Sequence, residues 1–184
     1  MANFNKKLSN TQVRIGEVRF SYACVFEPRA NTNGDPKYSC AILIPKDNTD
    51  AVQLVRDAIA AAQELGKTSK WGGKIPKPCK IPLRDGDEER DDPIYEGHWF
   101  INASASTKAK PAVKILEGGI LSDALDNEDF YSGCYGAAVL NFFPYDSNGN
   151  KGVGAGLNVV LKTRDGENLS GGVSAEEALA GLYD

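Results

Sequence analysis

The chain has 184 residues, of which 41% are hydrophobic and 25% charged, and its formal net charge is -4 at pH 7. This length suits one well-buried domain, and the composition excludes the fibrous and disordered classes of protein. No stretch of about 18 consecutive apolar residues occurs, so we expect neither secretion nor membrane insertion. The four cysteines are dispersed without a CxxC pair, which predicts reduced thiols and no disulfide framework.

Alternating apolar residues predict a long first strand from Val13 to Phe26. The alternation changes parity at Gly16-Glu17, which indicates a β-bulge and a strand that curves around a barrel. Residues 31–36 have the composition of a turn, and a second alternating strand follows from Tyr38 to Ile44. These two strands are predicted to form a long hairpin.

A helix is predicted between Asp47 and Gly66, because apolar residues recur there at helical spacing. Asn48 and Thr49 are N-cap candidates, and Gly66 is the expected end of the helix. Residues 67–97 are rich in proline and glycine and are predicted to form a long loop region. A loop of this size in a compact domain is typically functional or disordered.

The second half of the chain predicts more strands. His98–Ala103 and Ala112–Leu116 are two short ones. A hairpin follows, with strands Tyr135–Tyr145 and Gly156–Thr163 around a turn at 146–150. Its second strand is expected to point three side chains inward: Leu157, Val159 and Leu161.

These elements favour a mainly β fold of one domain over residues 1–184. We predict an OB-type Greek-key barrel of five or six antiparallel strands, with one main α-helix and a long basic and acidic loop region. A short, mildly acidic C-terminal tail begins at about residue 170, and Ser174 with Glu177 forms a capping box that indicates a short helix there.

Charges are segregated along the chain. Residues 67–84 and 101–116 carry lysines and arginines but no acids, whereas acids are concentrated in 85–92 and 117–129. Such separation can give an acidic protein a basic groove. Solvated loops of either sign are the alternative interpretation.

The residues needed for catalysis are scarce. His98, the single histidine, lies in a predicted strand and is interpreted as structural. The acidic run 85–92 has the carboxylates for a Mg²⁺ site, but it adjoins a proline-rich loop and is interpreted as solvated. The run Gly152–Gly156 lacks the spacing of a phosphate-binding loop and indicates a bend or a close backbone approach. We therefore predict no catalytic residue, metal or cofactor.

Basic residues interleave with aromatic residues at several places, which is the combination that binders of nucleic-acid single strands use. Lysine and arginine neutralise phosphates, while exposed rings stack on bases. Trp71 lies between lysines and glycines in the loop region, so it is the ring hardest to explain as core. The predicted phosphate contacts are Arg14, Arg19, Lys37, Lys70, Lys74, Lys77, Lys108, Lys110 and Lys151. The predicted stacking rings are Tyr22, Tyr38, Trp71 and Tyr145.

Several segments in combination resemble a family of phage-encoded single-stranded DNA-binding proteins. They are Val13–Phe26, Trp99–Ser104 with Pro111, Tyr131–Asp146, Lys151–Glu167 and Leu169–Gly172. The resemblance covers most of the chain. It implies an OB fold, sequence-independent binding of single-stranded DNA, and a role in phage or prophage DNA replication or recombination in the cytoplasm of a bacterial host cell.

The resemblance also sets the expected partners. They are single-stranded DNA and phage replication or recombination proteins contacted through the C-terminal tail. A homodimer is a separate hypothesis, because the sequence does not give the oligomeric state. Related phage proteins end in an acidic tail, and this chain complies in part, with Glu176, Glu177 and Asp184 among alanines and leucines. Two other functions remain open: a structural or assembly protein of the virion, and a metal-dependent nucleic-acid enzyme that uses the acidic run.

Overall fold

The computed structural model describes residues 3–30, 34–169, 179 and 181–182. Over these residues it contains two helices and nine strands. The helices are α1 (Thr49–Ser69) and α2 (Gly86–Glu89). The strands are β1 (Lys6–Lys7), β2 (Gln12–Arg29), β3 (Lys37–Pro45), β4 (Leu83–Asp85), β5 (His98–Ser106), β6 (Ala112–Glu117), β7 (Ile120–Asp123), β8 (Tyr135–Ser147) and β9 (Asn150–Arg164).

Five strands close into a barrel in the order β2-β3-β5-β9-β8 and back to β2. This confirms the predicted mainly β barrel with one main helix. The sheet is mixed rather than wholly antiparallel, since β9 pairs in parallel with β5 and with β6. A ring of five strands cannot alternate direction at every neighbour, so closure of the barrel requires a parallel pair.

The curvature predicted for the first strand is present in β2. Its register against β8 shifts between Ile15 and Val18, and Glu17 has a φ of 56°. A second irregularity follows, with Tyr22 at a φ of 47°. The first half of β2 consequently pairs with β8 and the second half with β3, which places one strand on both sides of the barrel.

The core fills the barrel and continues to α1. Phe20, Ile42 and Leu140 are fully buried inside it, and α1 packs Val55 and Ile59 against this cluster. Asn48 caps α1 as predicted, with its side chain accepting a hydrogen bond from the backbone N–H of Ala51. Full burial of each large apolar side chain contributes about 1.5–3 kcal/mol to stability.

The helix passes through Gly66 and ends at Ser69, three residues beyond its expected end. A Cβ at Gly66 would lie 2.5 Å from the Trp71 ring. The glycine therefore serves close packing of the chain that returns after the helix, and not helix termination.

The inward face of β9 was predicted correctly only in part. Leu157 is buried, but Val160 is the next buried side chain, while Val159 and Leu161 are half-buried. The register against β8 shifts at this point, because Val139 faces Val159 whereas Leu140 faces Leu157. The extra residue reverses the parity of the strand, which simple alternation does not reveal.

The region 70–97 is a long loop with short elements, as predicted, but its acidic part is not free in solvent. Tyr95 packs on Phe100 and Leu43 on the outside of the barrel. Lys46 Nζ donates hydrogen bonds to Asp85 and Asp87, each at 2.7 Å. The run 85–92 thus forms part of a layer that covers β3 and β5.

The remaining predictions concern the cysteines and the tail. All four cysteines are free, and burial raises the pKa of the Cys134 thiol to about 11 and that of Cys40 further still. The predicted capping box at Ser174 and most of the C-terminal tail fall outside the described residues. None of the helices over 3–30 and 34–169 is long and apolar enough to cross a membrane.

Candidate nucleic-acid interface

One surface of the barrel, which we call the barrel face, starts at the end of the β8–β9 hairpin. It crosses the outward side of β5 and the arginines that lie over Phe100, and it ends at the bulged part of β2. Lys80, Arg84, Asn102 and Tyr145 line a recess of about 570 Å³ on it. Arg84 and Asn102 share this surface because both belong to the outward parity of β4 and β5. The recess combines two cations, an amide and an aromatic ring.

The glycines of β9 make room for aromatic rings on this face. Phe143 stands opposite Gly154 and Tyr145 opposite Gly152 in the β8–β9 ladder. A Cβ at Gly154 would lie 2.7 Å from the Phe143 ring, so the ring rests directly on the strand. Phe143 remains 42% exposed. A ring supported on one side and open to solvent on the other is suited to stacking.

The hairpin end also adjoins a cluster of lysines. Lys77, Lys80 and Lys151 line a recess beside the hairpin turn. The backbone of Lys80 is fixed there, since its N–H donates to the Lys151 carbonyl at 3.3 Å and its carbonyl accepts from the Val153 N–H at 2.8 Å. The predicted residues Lys77, Lys151 and Tyr145 are thus brought together, and Lys80 and Phe143 join them.

A row of cations and rings crosses the barrel face away from the hairpin. The Arg84 guanidinium lies 5.6 Å from the centroid of the Phe100 ring, and that of Arg90 lies 5.3 Å from the same ring. Arg90 is also 6.0 Å from the centroid of Tyr22, which is exposed. The row therefore leads from the hairpin recess to the bulge of β2. Interactions of this kind contribute about 0.5–1 kcal/mol at exposed sites.

The predicted site omitted Arg84 and Arg90. Arg84 is the last residue of the basic segment 67–84, and Arg90 lies within the acidic run that follows. Arg84 donates from Nε and Nη2 to one carboxylate oxygen of Glu89, at 2.9 and 2.7 Å. Arg90 has no ion pair with any of the described residues. The sequence signal for Arg90 was its place as the one cation within the acidic run 85–92.

Two of the predicted stacking rings are not exposed. Trp71 is 8% exposed and belongs to the main core, which corrects the prediction that it lies open in the loop. Its indole Nε1 donates a hydrogen bond to the carbonyl of Tyr145 at 3.1 Å. Tyr38 is buried to the same extent, with Lys110 Nζ 5.9 Å from its ring. Inaccessible rings cannot stack on a base without a local rearrangement.

The other predicted basic residues are distributed over the surface. Lys37 faces Arg29 at the ends of β2 and β3, and Arg29 and Lys110 line a common recess. Lys108 is exposed and lies, like Lys110, in the connection between β5 and β6. This second basic group lies at the far end of β2 from the hairpin recess.

Four predicted phosphate contacts lie apart from the barrel face. Arg14 Nε donates to the Phe4 carbonyl at 2.7 Å. Arg19 donates to the carbonyls of Gly133 and Glu167, at 3.1 and 3.3 Å, and thereby holds the segment after β9. The other two, Lys70 and Lys74, are exposed at the end of α1, outside the recesses described above.

The acidic run forms structural ion pairs. Hydrogen bonds from Lys46 hold the pKa values of Asp85 and Asp87 below their ordinary range. Among the residues that the structure describes, there is no group of three or more histidine, cysteine or acidic side chains that could hold a metal ion. His98 Nδ1 donates to the Glu96 carbonyl at 2.7 Å, which fits the structural role predicted for it.

Residues 11–183 match the family described as the single-stranded DNA-binding protein of Enterobacter phage Enc34. A curated relative, "Putative protein p50" of Acyrthosiphon pisum secondary endosymbiont phage 1, is 36% identical over 178 residues, which cover 90% of this chain and 91% of that protein.

The solved structures that are similar to this one include two phage proteins. The bacteriophage Enc34 single-stranded DNA-binding protein in complex with single-stranded DNA superposes with a TM-score of 0.73 at 29% identity, covering 90% of this chain and 96% of that one. The bacteriophage T7 single-stranded DNA-binding protein gp2.5 gives a TM-score of 0.50 at 17% identity, covering 86% and 93%, which is a likeness of fold. Because the family match spans nearly the whole sequence, the chain belongs to the Enc34-type family of phage single-stranded DNA-binding proteins.

Proposed function

We propose that this chain binds single-stranded DNA along the barrel face without sequence preference and without catalysing a reaction. The observation that carries the proposal is the hairpin end, where Tyr145 lines one recess with Lys80, and Lys80 lines a second recess with Lys77 and Lys151. The Phe143 ring rests on Gly154, which also lines the first recess. Family membership supports the same conclusion, since the Enc34 member has been solved with single-stranded DNA bound.

The chemistry of the face suits this ligand. Rings stack on any base, each contributing about 1–3 kcal/mol, so a platform made of Phe143 and Tyr145 does not discriminate among sequences. Lysines beside the rings neutralise the phosphates that connect the stacked bases, and binding gains further from the release of counterions. The net charge of -4 does not oppose this, because Lys77, Lys80 and Lys151 are grouped in one recess at the hairpin end.

The row from Arg84 to Tyr22 continues the path of the strand. Arg84 and Arg90 supply charge over the centre of the face, and the exposed Tyr22 supplies a further ring at its far side. Lys37, Lys108 and Lys110 then offer charge near the end of β2. Trp71 supports the hairpin end from inside through its hydrogen bond to the Tyr145 carbonyl.

We extend the proposal to biological role. The chain would protect single-stranded DNA during phage or prophage DNA replication or recombination in the cytoplasm of the bacterial host. Replication or recombination proteins would bind its C-terminal tail. A chain that ends at residue 169 should then keep its affinity for DNA but fail to capture those proteins in phage-infected extracts; retained capture would remove the tail from the proposal.

The direct test is fluorescence anisotropy of a labelled oligo-dT titrated with protein at several salt concentrations. We expect tight binding that weakens steeply with salt and that duplex DNA competes poorly. Lys80→Ala with Lys151→Ala should weaken binding and make the salt dependence shallower by about 0.7 for each phosphate that the variant leaves unneutralised. Lys6→Ala with Lys7→Ala, on exposed β1, is the matched control and should bind normally. Absence of binding at low salt would overturn the proposal.

A further inference from the structure

The last strand of the sheet carries an exposed apolar edge that the proposed function does not use. β7 ends the strand order, and its outer backbone groups pair with no other strand among the described residues. Ile120 is 70% exposed, Leu121 is 61% exposed, and Leu125 just beyond the strand is 81% exposed. An open strand edge with large apolar side chains is a typical site of protein–protein contact.

Acidic residues surround these apolar side chains, and we call the whole surface the acidic edge. Its acids are Glu117, Asp123, Asp126 and Glu128, all exposed. Only Asp123 forms an ion pair within the described residues, with Lys114. Arg29 and Lys110 border the surface at one side, where they line a recess with Leu125 and Asp126. Elsewhere the acidic edge presents negative charge around an apolar centre, and a fitting partner surface is apolar with a basic surround.

The same chain offers such a surface at the end of α1, which we call the basic end. Leu65 is exposed there, and Lys70 and Lys74 are exposed beside it. Neither lysine has an ion pair in the part of the chain that the structure describes. No acid occurs between Leu65 and Arg84 in the sequence.

The two surfaces cannot meet within one molecule. Trp71, which follows Lys70, is hydrogen-bonded to Tyr145, and Tyr145 faces Gly152 at the start of β9. The hairpin of β6 and β7 instead joins β9 at Val159–Lys162. Eight residues of strand separate Gly152 from Val160, a distance of about 26 Å.

We propose that the acidic edge of one copy docks on the basic end of the next copy, so that the chain associates head to tail. Such a heterologous contact leaves one surface of each kind free and adds further copies in a row. The contact is small and hence weak. Its apparent affinity rises when neighbouring copies occupy one DNA strand, because the strand raises their effective concentration. The consequence is cooperative coverage of long single strands.

Charge disfavours the other occupants of the acidic edge. Pairing of β7 with β7 of a second copy would bring the acids of both copies together, and like charges on facing strands are destabilising. The C-terminal tail is also a poor occupant, since residues 170–184 contain three acids and no base. A lysine-bearing surface is the complementary one.

Sedimentation velocity without DNA tests the contact independently of the proposed function. The wild-type protein should form species beyond the dimer as its concentration rises, and less so at high salt. Ile120→Ser with Leu121→Ser and, separately, Lys70→Glu with Lys74→Glu should each stay monomeric. Equimolar mixing of the two variants should restore one-to-one dimers only, because each retains one intact surface. Lys6→Glu with Lys7→Glu controls for charge reversal and should associate as the wild type does.

Three results would overturn the proposal. The wild type could remain monomeric at every concentration; the Lys70→Glu, Lys74→Glu variant could still associate alone, as edge-to-edge pairing requires; or deletion of residues 170–184 could abolish association, which would make the tail the occupant. All substituted side chains are exposed, so unchanged thermal unfolding should verify that the variants fold.

A second measurement links the contact to DNA. The Ile120→Ser, Leu121→Ser variant should bind an oligo-dT of one site as the wild type does, but its affinity for a long poly-dT should fall about 5- to 150-fold. Equal affinities of the wild type and this variant on the long strand would contradict cooperative coverage. Failure of the wild type to bind the short oligo-dT would instead contradict the proposed function, and the sedimentation result would stand separately.

Discussion

The indole of Trp71 is joined to the backbone carbonyl of Tyr145 by a hydrogen bond of 3.1 Å. Trp71 is buried between α1 and the β8–β9 hairpin, where its ring also closes against Gly66. Tyr145 stands near the end of that hairpin, beside Lys80 in the recess of the barrel face. A core side chain therefore fixes the part of the hairpin that carries a predicted stacking ring.

Replacement of Trp71 by phenylalanine tests this connection. Trp71→Phe keeps an aromatic ring but leaves the Tyr145 carbonyl without its indole donor, which should lower the free energy of unfolding by about 1–3 kcal/mol. The affinity for oligo-dT should also fall, because the hairpin end is less firmly positioned. Urea denaturation and anisotropy measure the two effects.

The effect on DNA affinity should depend on Tyr145. In a Tyr145→Ala background, Trp71→Phe should change stability but hardly change affinity, as a double-mutant cycle would reveal. Trp99→Phe makes the same atomic change on a half-buried indole that lies near Lys46 and Arg56, and it should leave DNA binding intact. Equal losses of affinity with and without Tyr145 would indicate a general structural effect.

The place of Trp71 also illustrates what sequence reasoning could and could not reach. Periodicity located α1, the hairpins and the bulge near Glu17, because local backbone patterns depend on neighbours in the chain. Flanking lysines and glycines made Trp71 look like a surface residue. Its burial depends on the packing of α1 and β8 around it. Tyr145, which accepts its hydrogen bond, lies 74 residues further along the chain, and no local sequence pattern reports such a contact.

The candidate site was predictable to a similar degree. Lys77 and Lys151 near the hairpin were found because basic residues and aromatics interleave there, whereas Lys80 was left out. Arg90 was missed because acids flank it in the sequence, and Arg84 was not selected from the basic segment 67–84. Only the fold brings both onto Phe100. Val159 was wrongly predicted to point into the barrel, because a single bulge turns every later side chain of the strand to the opposite face.

Phe143 should contribute to DNA binding far more than to stability, since its ring is partly exposed and rests on Gly154. Phe143→Ala is expected to weaken oligo-dT binding by about 1–3 kcal/mol, roughly 5- to 150-fold, with a small change in thermal unfolding. Phe143→Tyr retains the ring and is the matched control, with expected affinity near that of the wild type. Unchanged binding by the alanine variant would remove Phe143 from the stacking platform.

Two glycines of β9 should respond differently to alanine. A Cβ at Gly152 would lie 2.5 Å from the Lys80 backbone oxygen, which cannot move without breaking its bond to Val153, so Gly152→Ala should reduce stability markedly. At Gly154 the obstacle is the end of the Phe143 ring, which can swing away. Gly154→Ala should therefore fold well but bind oligo-dT less tightly. Thermal melts and anisotropy of both variants distinguish these outcomes, and a stable Gly152→Ala protein would contradict the backbone argument.

Lys46 should make stability depend on pH in the acidic range. Its hydrogen bonds hold the pKa values of Asp85 and Asp87 below the ordinary 3.8, so the folded state is favoured above that pH. The contribution disappears as pH falls through the lowered values, that is below about pH 4. Lys46→Met should lower the melting temperature at pH 7 and flatten its decline toward pH 3. Lys67→Met, which removes an exposed pair with Glu64, is the control and should keep the wild-type profile.

Glu89 should restrain DNA binding through Arg84. Both donors of the guanidinium point to one oxygen of Glu89, so the carboxylate competes with a phosphate for this cation at the edge of the hairpin recess. Glu89→Gln removes the competing charge and should tighten oligo-dT binding at low salt while steepening the salt dependence by about 0.7, the value for one more neutralised phosphate on a single strand. In an Arg84→Ala background, Glu89→Gln should change neither quantity in this way, because the cation that it would free is absent.

The neighbouring Glu88 supplies the control for net charge. Glu88→Gln changes the charge of the protein by the same amount but removes no carboxylate from Arg84, since Glu88 is exposed and is not the hydrogen-bond partner. If competition within the Arg84–Glu89 pair is what restrains binding, only the Glu89 variant should neutralise a further phosphate in the salt titration. Equally steeper salt dependence in both variants would instead assign the effect to long-range repulsion between the acidic run and DNA.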